Sequence, residues 1–269
     1  MSLPKVVATL IVLAACALGE TCRGQCSLVD WLGNHDERVA ANQSYLDTDG
    51  PSFTRANSVV PRSMALLETR YFYSSNPSTN SFPQFDLRYG LLERLELRAE
   101  WSGVDTGPAL LRTNHDLEVG FKYLATKQDG IIPLSAIMLE LFTPTGNGPN
   151  YIPNVAPEID YMYGWALNKQ WSFECSTGAI FGQPGAPGVT QFYQSGTINR
   201  TWLGGRYMTF GEVYSLFGSG TNPGAVQPNI DCGAQWRLGY NLQLDWRVGM
   251  GLNDQTAPFF TNGGVSFRY

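Results

Sequence analysis

The sequence predicts an all-β protein: a transmembrane antiparallel β-barrel of about twelve strands with a short N-terminal arm. Three observations carry that expectation. Segments of strand length alternate apolar and charged residues, so each has one greasy face and one fully charged face. Their connections alternate between short turns and longer loops rich in Gly, Pro, Asn and Thr. The chain opens on the layout of an export signal.

The first element is that signal. Met1 to Lys5 is short and basic, Val6 to Leu18 is apolar, and Gly19 to Gln25 is polar and small. The apolar run is too short to cross a bilayer as a helix. Residues 1–25 therefore read as a secretory signal peptide, with cleavage between Ala17 and Cys26. Leu13-Ala14-Ala15-Cys16 also fits a lipoprotein signal with Cys16 as the lipidated residue, and the sequence leaves both open. No other segment is a long unbroken apolar run, so no transmembrane helix is expected.

Residues 26–62 read as a polar arm with little periodicity. Leu28 to Ala41 is a candidate short helix, Thr48 to Thr54 is turn-like, and Val59-Val60-Pro61 leads into the first strand. The arm is either a loose periplasmic tail or a plug folded into the lumen.

The barrel follows over 63–269. Its strands are expected at 63–75, 81–91, 94–104, 115–126, 131–144, 155–167, 170–182, 188–201, 206–218, 226–238, 241–252 and 259–269. Each is near the length a tilted strand needs to cross a bilayer. Short turns include Leu92-Glu93, Asn168-Lys169 and Gly239-Tyr240, while 105–114, 145–154 and 219–225 are longer. An even strand count places both ends of the barrel on the short-turn, periplasmic side.

Alternation assigns the facing. In the third strand Leu95, Leu97, Ala99 and Trp101 face lipid, and Glu96, Arg98 and Glu100 face inward. In the fourth, Asp116, Glu118 and Lys122 face inward; in the sixth, Glu158 and Asp160; in the tenth, Asp231 and Arg237. Asp245 and Arg247 are inward in the eleventh, with Leu244, Trp246 and Val248 toward lipid near the membrane middle or its aromatic border. The eighth and ninth strands are ambiguous, because Met208 and Phe210 share a face with Glu212. These inward charges are the expected pore lining. Many should pair, and their acidic excess points to a mildly cation-favouring channel.

Other chemistry is thinly represented. Cys175 and Cys232 are expected as unpaired, buried thiols, and without a CxxC or a histidine cluster no metal site or cofactor is expected. The two histidines, His35 and His115, leave a barrel enzyme poorly supplied; Ser102 is the serine nearest His115 in the preceding strand, and nothing in the sequence aligns them. No catalytic residue is assigned. The net charge of −5 argues against a nucleic-acid partner. A structural or adhesive barrel stays open beside a channel.

The motifs Thr48-Asp49-Gly50-Pro51-Ser52-Phe53-Thr54, Leu87-Arg88-Tyr89-Gly90-Leu91-Leu92-Glu93-Arg94, Gly120-Phe121-Lys122-Tyr123, Leu141-Phe142-Thr143-Pro144-Thr145-Gly146 and Gly251-Leu252-Asn253-Asp254 occur in this order. Together they resemble the bacterial outer-membrane family labelled for the meta-pathway of phenol degradation, over about residues 46 to 269. Gly50 stands where that family usually carries a charge, and Tyr269 where Phe is commoner. The resemblance implies an outer-membrane barrel that imports small hydrophobic or aromatic compounds, and it supplies no catalytic residue. The expected partners are outer-membrane lipid, a small-molecule solute, and the barrel-assembly machinery through Phe267 and Tyr269.

Overall fold

The structure, a computed structural model, describes residues 46–108, 110–148, 151–183, 186–220 and 224–269. The signal peptide, Cys16, Cys22, His35 and the helix expected over 28–41 lie outside the described residues. Among the described residues there are fourteen strands: β1 (Ala65–Ser75), β2 (Ser78–Leu92), β3 (Leu95–Trp101), β4 (Val104–Gly107), β5 (Leu110–Asn114), β6 (Leu117–Thr126), β7 (Leu134–Thr143), β8 (Ala156–Ala166), β9 (Trp171–Gln183), β10 (Ala186–Trp202), β11 (Tyr207–Gly220), β12 (Gln227–Arg237), β13 (Leu242–Gly251) and β14 (Phe260–Arg268).

All but β4 and β5 form a ring of twelve antiparallel strands. β3 pairs directly with β6, and β1 pairs with both β2 and β14, which closes the sheet. Closure leaves the ring without an unpaired edge, as a spanning sheet requires, because lipid offers no partner to a backbone N–H or C=O. Among the described residues no helix is long and apolar enough to cross a membrane.

Burial is inverted relative to a soluble protein. Leu97, Phe121, Ile159, Ile230, Trp236, Leu244 and Trp246 are exposed, whereas Glu96, Arg98, Lys122, Glu140 and Asp160 are buried. The period of two that separates them in sequence therefore sorts lipid-facing from lumen-facing side chains. The ambiguous ninth strand is now settled: Phe210 and Glu212 both face inward, and Phe210 packs over Gly233, where a Cβ would collide with the ring. Apolar packing inside is small, centred on Ala136, Met138 and Met162.

Three details depart from the sequence expectation. β2 and β10 run to 15 and 17 residues and β11 ends at Gly220, so the strands overhang on the long-loop side. Continued pairing there satisfies backbone groups that a loop would leave to water. The expected loop over 105–114 holds the hairpin β4–β5 instead, and β4 pairs with the overhang of β2 through Asn80↔Thr106 and Ser81↔Asp105. Both cysteines are free, but only Cys175 is buried. Cys232 is exposed on the lipid-facing side of β12, where the alternation of that strand puts it.

Candidate functional site

Like charges stand directly opposite each other on the inner wall. Arg88 pairs in register with Arg98, Glu68 with Asp86, Glu100 with Glu118, Glu140 with Glu158, and Glu212 with Asp231. Such cross-strand pairs are destabilising by themselves. Residues 46–62 supply much of what offsets them, because this segment lies among the inward side chains.

Asp49 is the centre of the first cluster. Its carboxylate meets Arg88 at 3.2 Å, Arg98 at 2.5 Å and Lys122 at 2.9 Å. Burial pushes this carboxyl up, but the three cations outweigh burial and hold it well below the usual carboxylate range. Arg55 serves the second cluster, reaching Glu140 at 2.7 Å, Glu100 at 3.3 Å and Glu158 at 3.6 Å. One carboxylate and one guanidinium of the arm thus sit on opposite patches of wall charge.

Backbone donors add to this. Asp49 and Gly50 donate their N–H groups to Glu68 at 3.0 and 3.2 Å, Phe53 and Thr54 donate to Glu212 at 2.7 and 2.6 Å, and Val60 donates to Glu96 at 2.6 Å. Hydrogen bonds to a charged acceptor are about twice as strong as neutral ones. The Phe53 ring stacks on Tyr214 with centroids 4.2 Å apart and meets Tyr193 edge-on at 5.6 Å.

The course of the arm follows from its partners. Leu46 lies at the short-turn end, where its carbonyl accepts from Arg237 at 3.1 Å. The Pro51 carbonyl accepts from Asn262 on β14 at 3.2 Å, and the segment returns to the short-turn end at Val60 and Pro61. There it crosses Gly90, where a Cβ would strike the carbonyl oxygens of both residues.

Above the arm, a cavity of about 370 Å³ extends toward the long-loop side. Pro51, Ser52, Phe53 and Arg55 of the arm line it, with Asp86, Glu100, Asp116, Glu118 and Glu158 on the wall. Phe72, Phe142 and Tyr193 supply apolar surface. Of the twelve residues expected to line a pore, Glu100, Asp116, Glu118, Glu158 and Arg247 border this cavity. Glu96, Arg98 and Lys122 are sealed against the arm. Asp160 and Asp245 are buried on the wall, Asp231 lies 3.5 Å from Arg247, and Arg237 donates to the Gly205 carbonyl at the short-turn end.

Asp116 plays a local part. Its carboxylate accepts the N–H groups of Thr145, Gly146 and Ile152 at 2.9, 2.6 and 2.8 Å, fixing the β7–β8 loop. His115 lies 3.1 Å from Asp105 at the same rim. Glu100, Glu118 and Glu140 bring carboxylate oxygens within 4.8 Å of one another, a spacing suited to a cation, and Arg55 pairs with two of the three. Alternation missed Asp49 and Arg55, which lie on no strand, and Glu212, hidden by the ambiguous facing. Arg88 and Glu140 sit on charged faces and were within its reach.

Residues 48–269 match the family described as "Putative MetA-pathway of phenol degradation". The chain belongs to this family. No match was found among curated proteins. The solved structure of the COG4313 outer membrane channel from Pseudomonas putida F1 is similar at a TM-score of 0.56 and 14% identity, over 82% of this chain and 99% of that one. The NanC porin is similar at 0.55 and 11%, over 75% and 98%. The KdgM porin in complex with disordered oligogalacturonate is similar at 0.53 and 12%, again over 75% and 98%. At these identities the likeness establishes the fold, which is that of outer-membrane barrels. This member of the phenol-degradation family joins that wall to an arm held by wall carboxylates and arginines.

Proposed function

We propose that this protein is an outer-membrane channel for small solutes, and that residues 46–62 are its plug. The observation that carries the reading is the cavity: it faces the long-loop side, has both charged and aromatic lining, and is floored by Pro51 to Arg55. A solute entering from outside the cell reaches the arm and goes no further until the arm shifts. The family label and the aromatic lining favour small aromatic compounds with a polar group as cargo. Phe53, Phe72, Phe142 and Tyr193 would meet the ring, and the wall charges the polar group.

Nothing in this reading asks for catalysis or a cofactor. The test is single-channel conductance of purified, refolded protein with and without residues 27–56. The shortened protein should conduct more while keeping the heat-dependent gel shift of a folded barrel. A conductance equal to that of the full chain would remove the plug from the reading. No conductance in either form would return the alternative, a structural or adhesive barrel whose loops carry the function.

A further inference from the structure

The outer wall carries an arginine whose side chain has no acceptor among the described residues. Arg200 lies near the short-turn end of β10, between the inward-facing Asn199 and Thr201 in sequence, and is in register with Trp171 on β9 and Thr209 on β11. It therefore faces outward. Its guanidinium sits 3.7 Å from the ring centroid of Trp202 and 5.1 Å from that of Trp171. Among the described residues the Arg200 side chain has no hydrogen bond or ion pair, and its Nε is buried without an acceptor.

This position gives the arginine a task. Tryptophan on a barrel's outer wall marks the border between hydrocarbon and headgroups. A guanidinium there must find an anion, since an unpaired charge at the edge of the hydrocarbon is costly. Two indole rings hold the cation in place through its face and leave the N–H edge free to donate. The neighbouring turns point the same way. Residues 167–170 contain Lys169 and residues 203–206 contain Arg206, with no carboxylate in either. The turns at 93–94 and 127–130, by contrast, include Glu93 and Asp129. Leu167 and Leu203, 59% and 78% exposed, add apolar surface beside the basic groups.

We propose that Arg200, Trp171 and Trp202 bind the phosphodiester of an anionic phospholipid in the periplasmic leaflet. The guanidinium edge donates two parallel N–H bonds to the phosphate oxygens. Lys169 and Arg206 favour a headgroup with net negative charge over a zwitterionic one, whose ammonium they repel. The site rests on the barrel crossing a bilayer with its short turns toward the periplasm, and it does not depend on whether the lumen conducts.

The test is native mass spectrometry of the full barrel in detergent, offered equal amounts of phosphatidylglycerol and phosphatidylethanolamine with the same acyl chains. The unmodified protein should retain phosphatidylglycerol several-fold over phosphatidylethanolamine. Arg200→Gln should abolish that preference, and Arg200→Lys should keep part of it, because charge survives while the flat fork is lost. Arg94→Gln, in another turn, should behave as the unmodified protein. The heat-dependent gel shift checks folding; should Arg200→Gln fail it, a reduced preference in Arg200→Lys and in Trp202→Leu carries the test, and an undiminished one in both overturns the site. Undiminished preference in Arg200→Gln, equal loss in Arg94→Gln, or equal retention of both lipids by the unmodified protein would each overturn the site. Conductance of Arg200→Gln should equal that of the unmodified protein, so this result and the channel reading can fail separately.

Discussion

Arg88 and Arg98 stand directly opposite each other on β2 and β3, and the single carboxylate of Asp49 reaches both. That carboxylate belongs to the arm and not to the wall. Removing one partner from a buried charge cluster typically costs about 3–5 kcal/mol. Here the arm can leave and water can enter, so the loss should appear as undocking and not as unfolding. Asp49→Asn should raise conductance toward that of the chain lacking residues 27–56, with the gel shift of the folded barrel retained. An Asn variant that conducts like the parent would mean the remaining contacts hold the arm unaided.

The same carboxyl sets an acid limit. Its value in the docked arm lies below the ordinary range, because Arg88, Arg98 and Lys122 outweigh burial. A lowered value stabilises docking fully above the undocked value of about 4 and loses that contribution as pH falls below it. The share of the conductance that Asp49 governs should be flat from neutral pH down to about 4 and rise only in stronger acid. Wall carboxylates also take up protons there. The part of the rise absent from Asp49→Asn belongs to Asp49, and identical acid profiles for both proteins would count against this assignment.

Gly90 is where the arm leaves the lumen. Its N–H donates to Met64 at 2.9 Å and its carbonyl accepts from Ser63 at 2.7 Å, so the backbone is gripped from one side. A Cβ would point into the carbonyl oxygens of Val60 and Pro61. Overpacking of this kind costs about 1–3 kcal/mol. Gly90→Ala should lower the temperature at which the barrel loses its gel shift, both in the full chain and in the chain lacking residues 27–56, since both keep residues 60 and 61. A shift confined to the full chain would place the clash elsewhere in the arm.

The wall was legible in the sequence because its signal is local. A period of two within one strand is enough to place Glu96 and Arg98 inside and Leu97 outside. Where that period was mixed, at Met208 to Glu212, the sequence left the facing open, and tertiary packing of Phe210 over Gly233 decided it. The arm's position was not legible, because its partners are scattered. Asp49 contacts residues on β2, β3 and β6, and Pro51 pairs with Asn262, 211 positions away. Gly50 fits the same logic: a side chain there would meet the Arg70 guanidinium, which would have to swing aside for the charge usual in the family. Gly90 was visible as part of a motif, but its reason lies in Pro61, outside the strand.

Depth on the outer wall can be tested. Leu244 is in register with Trp236, which places it at the short-turn aromatic border and not at the membrane middle. Val213 is 55% exposed, in register with Gly196 and Ile230, and six positions from Tyr207 at the short-turn end of β11. A charge at midplane costs about 2–4 kcal/mol and near the border about 0–1. Val213→Arg should therefore destabilise the barrel clearly more than Leu244→Arg in equilibrium unfolding from lipid. Gln243 is a poor control for either. Its side chain is fully buried and donates to Thr48 at 3.0 Å, so an arginine there would disturb the arm. Equal costs at Val213 and Leu244 would show that the depth is misplaced.

Selectivity should depend on the arm as well as on the wall. Six carboxylates and three arginines border the cavity, and Arg55 is one of the three. Glu100 and Glu118 stand in register, yet only Glu100 is paired with Arg55; among the described residues the Glu118 carboxylate has no hydrogen bond or ion pair. Fixed charge at the narrowest section governs which ions pass. Removing residues 27–56 takes Arg55 from the section lined by Glu100, Glu118 and Glu158, and takes Asp49 from Arg88, Arg98 and Lys122 below it. The upper section is thus left acidic and, taken as the narrowest, sets the selectivity. The shortened channel should therefore prefer cations more strongly than the full chain, read as a larger reversal potential of cation sign in a potassium chloride gradient. Neutralising Glu100 and Glu118 together, as Glu100→Gln with Glu118→Gln in the shortened chain, should reduce that potential substantially and leave folding intact, since neither carboxylate then has the arm to hold. A reversal potential unmoved by the double change would place the selective section below Glu100, among the residues that Asp49 had covered.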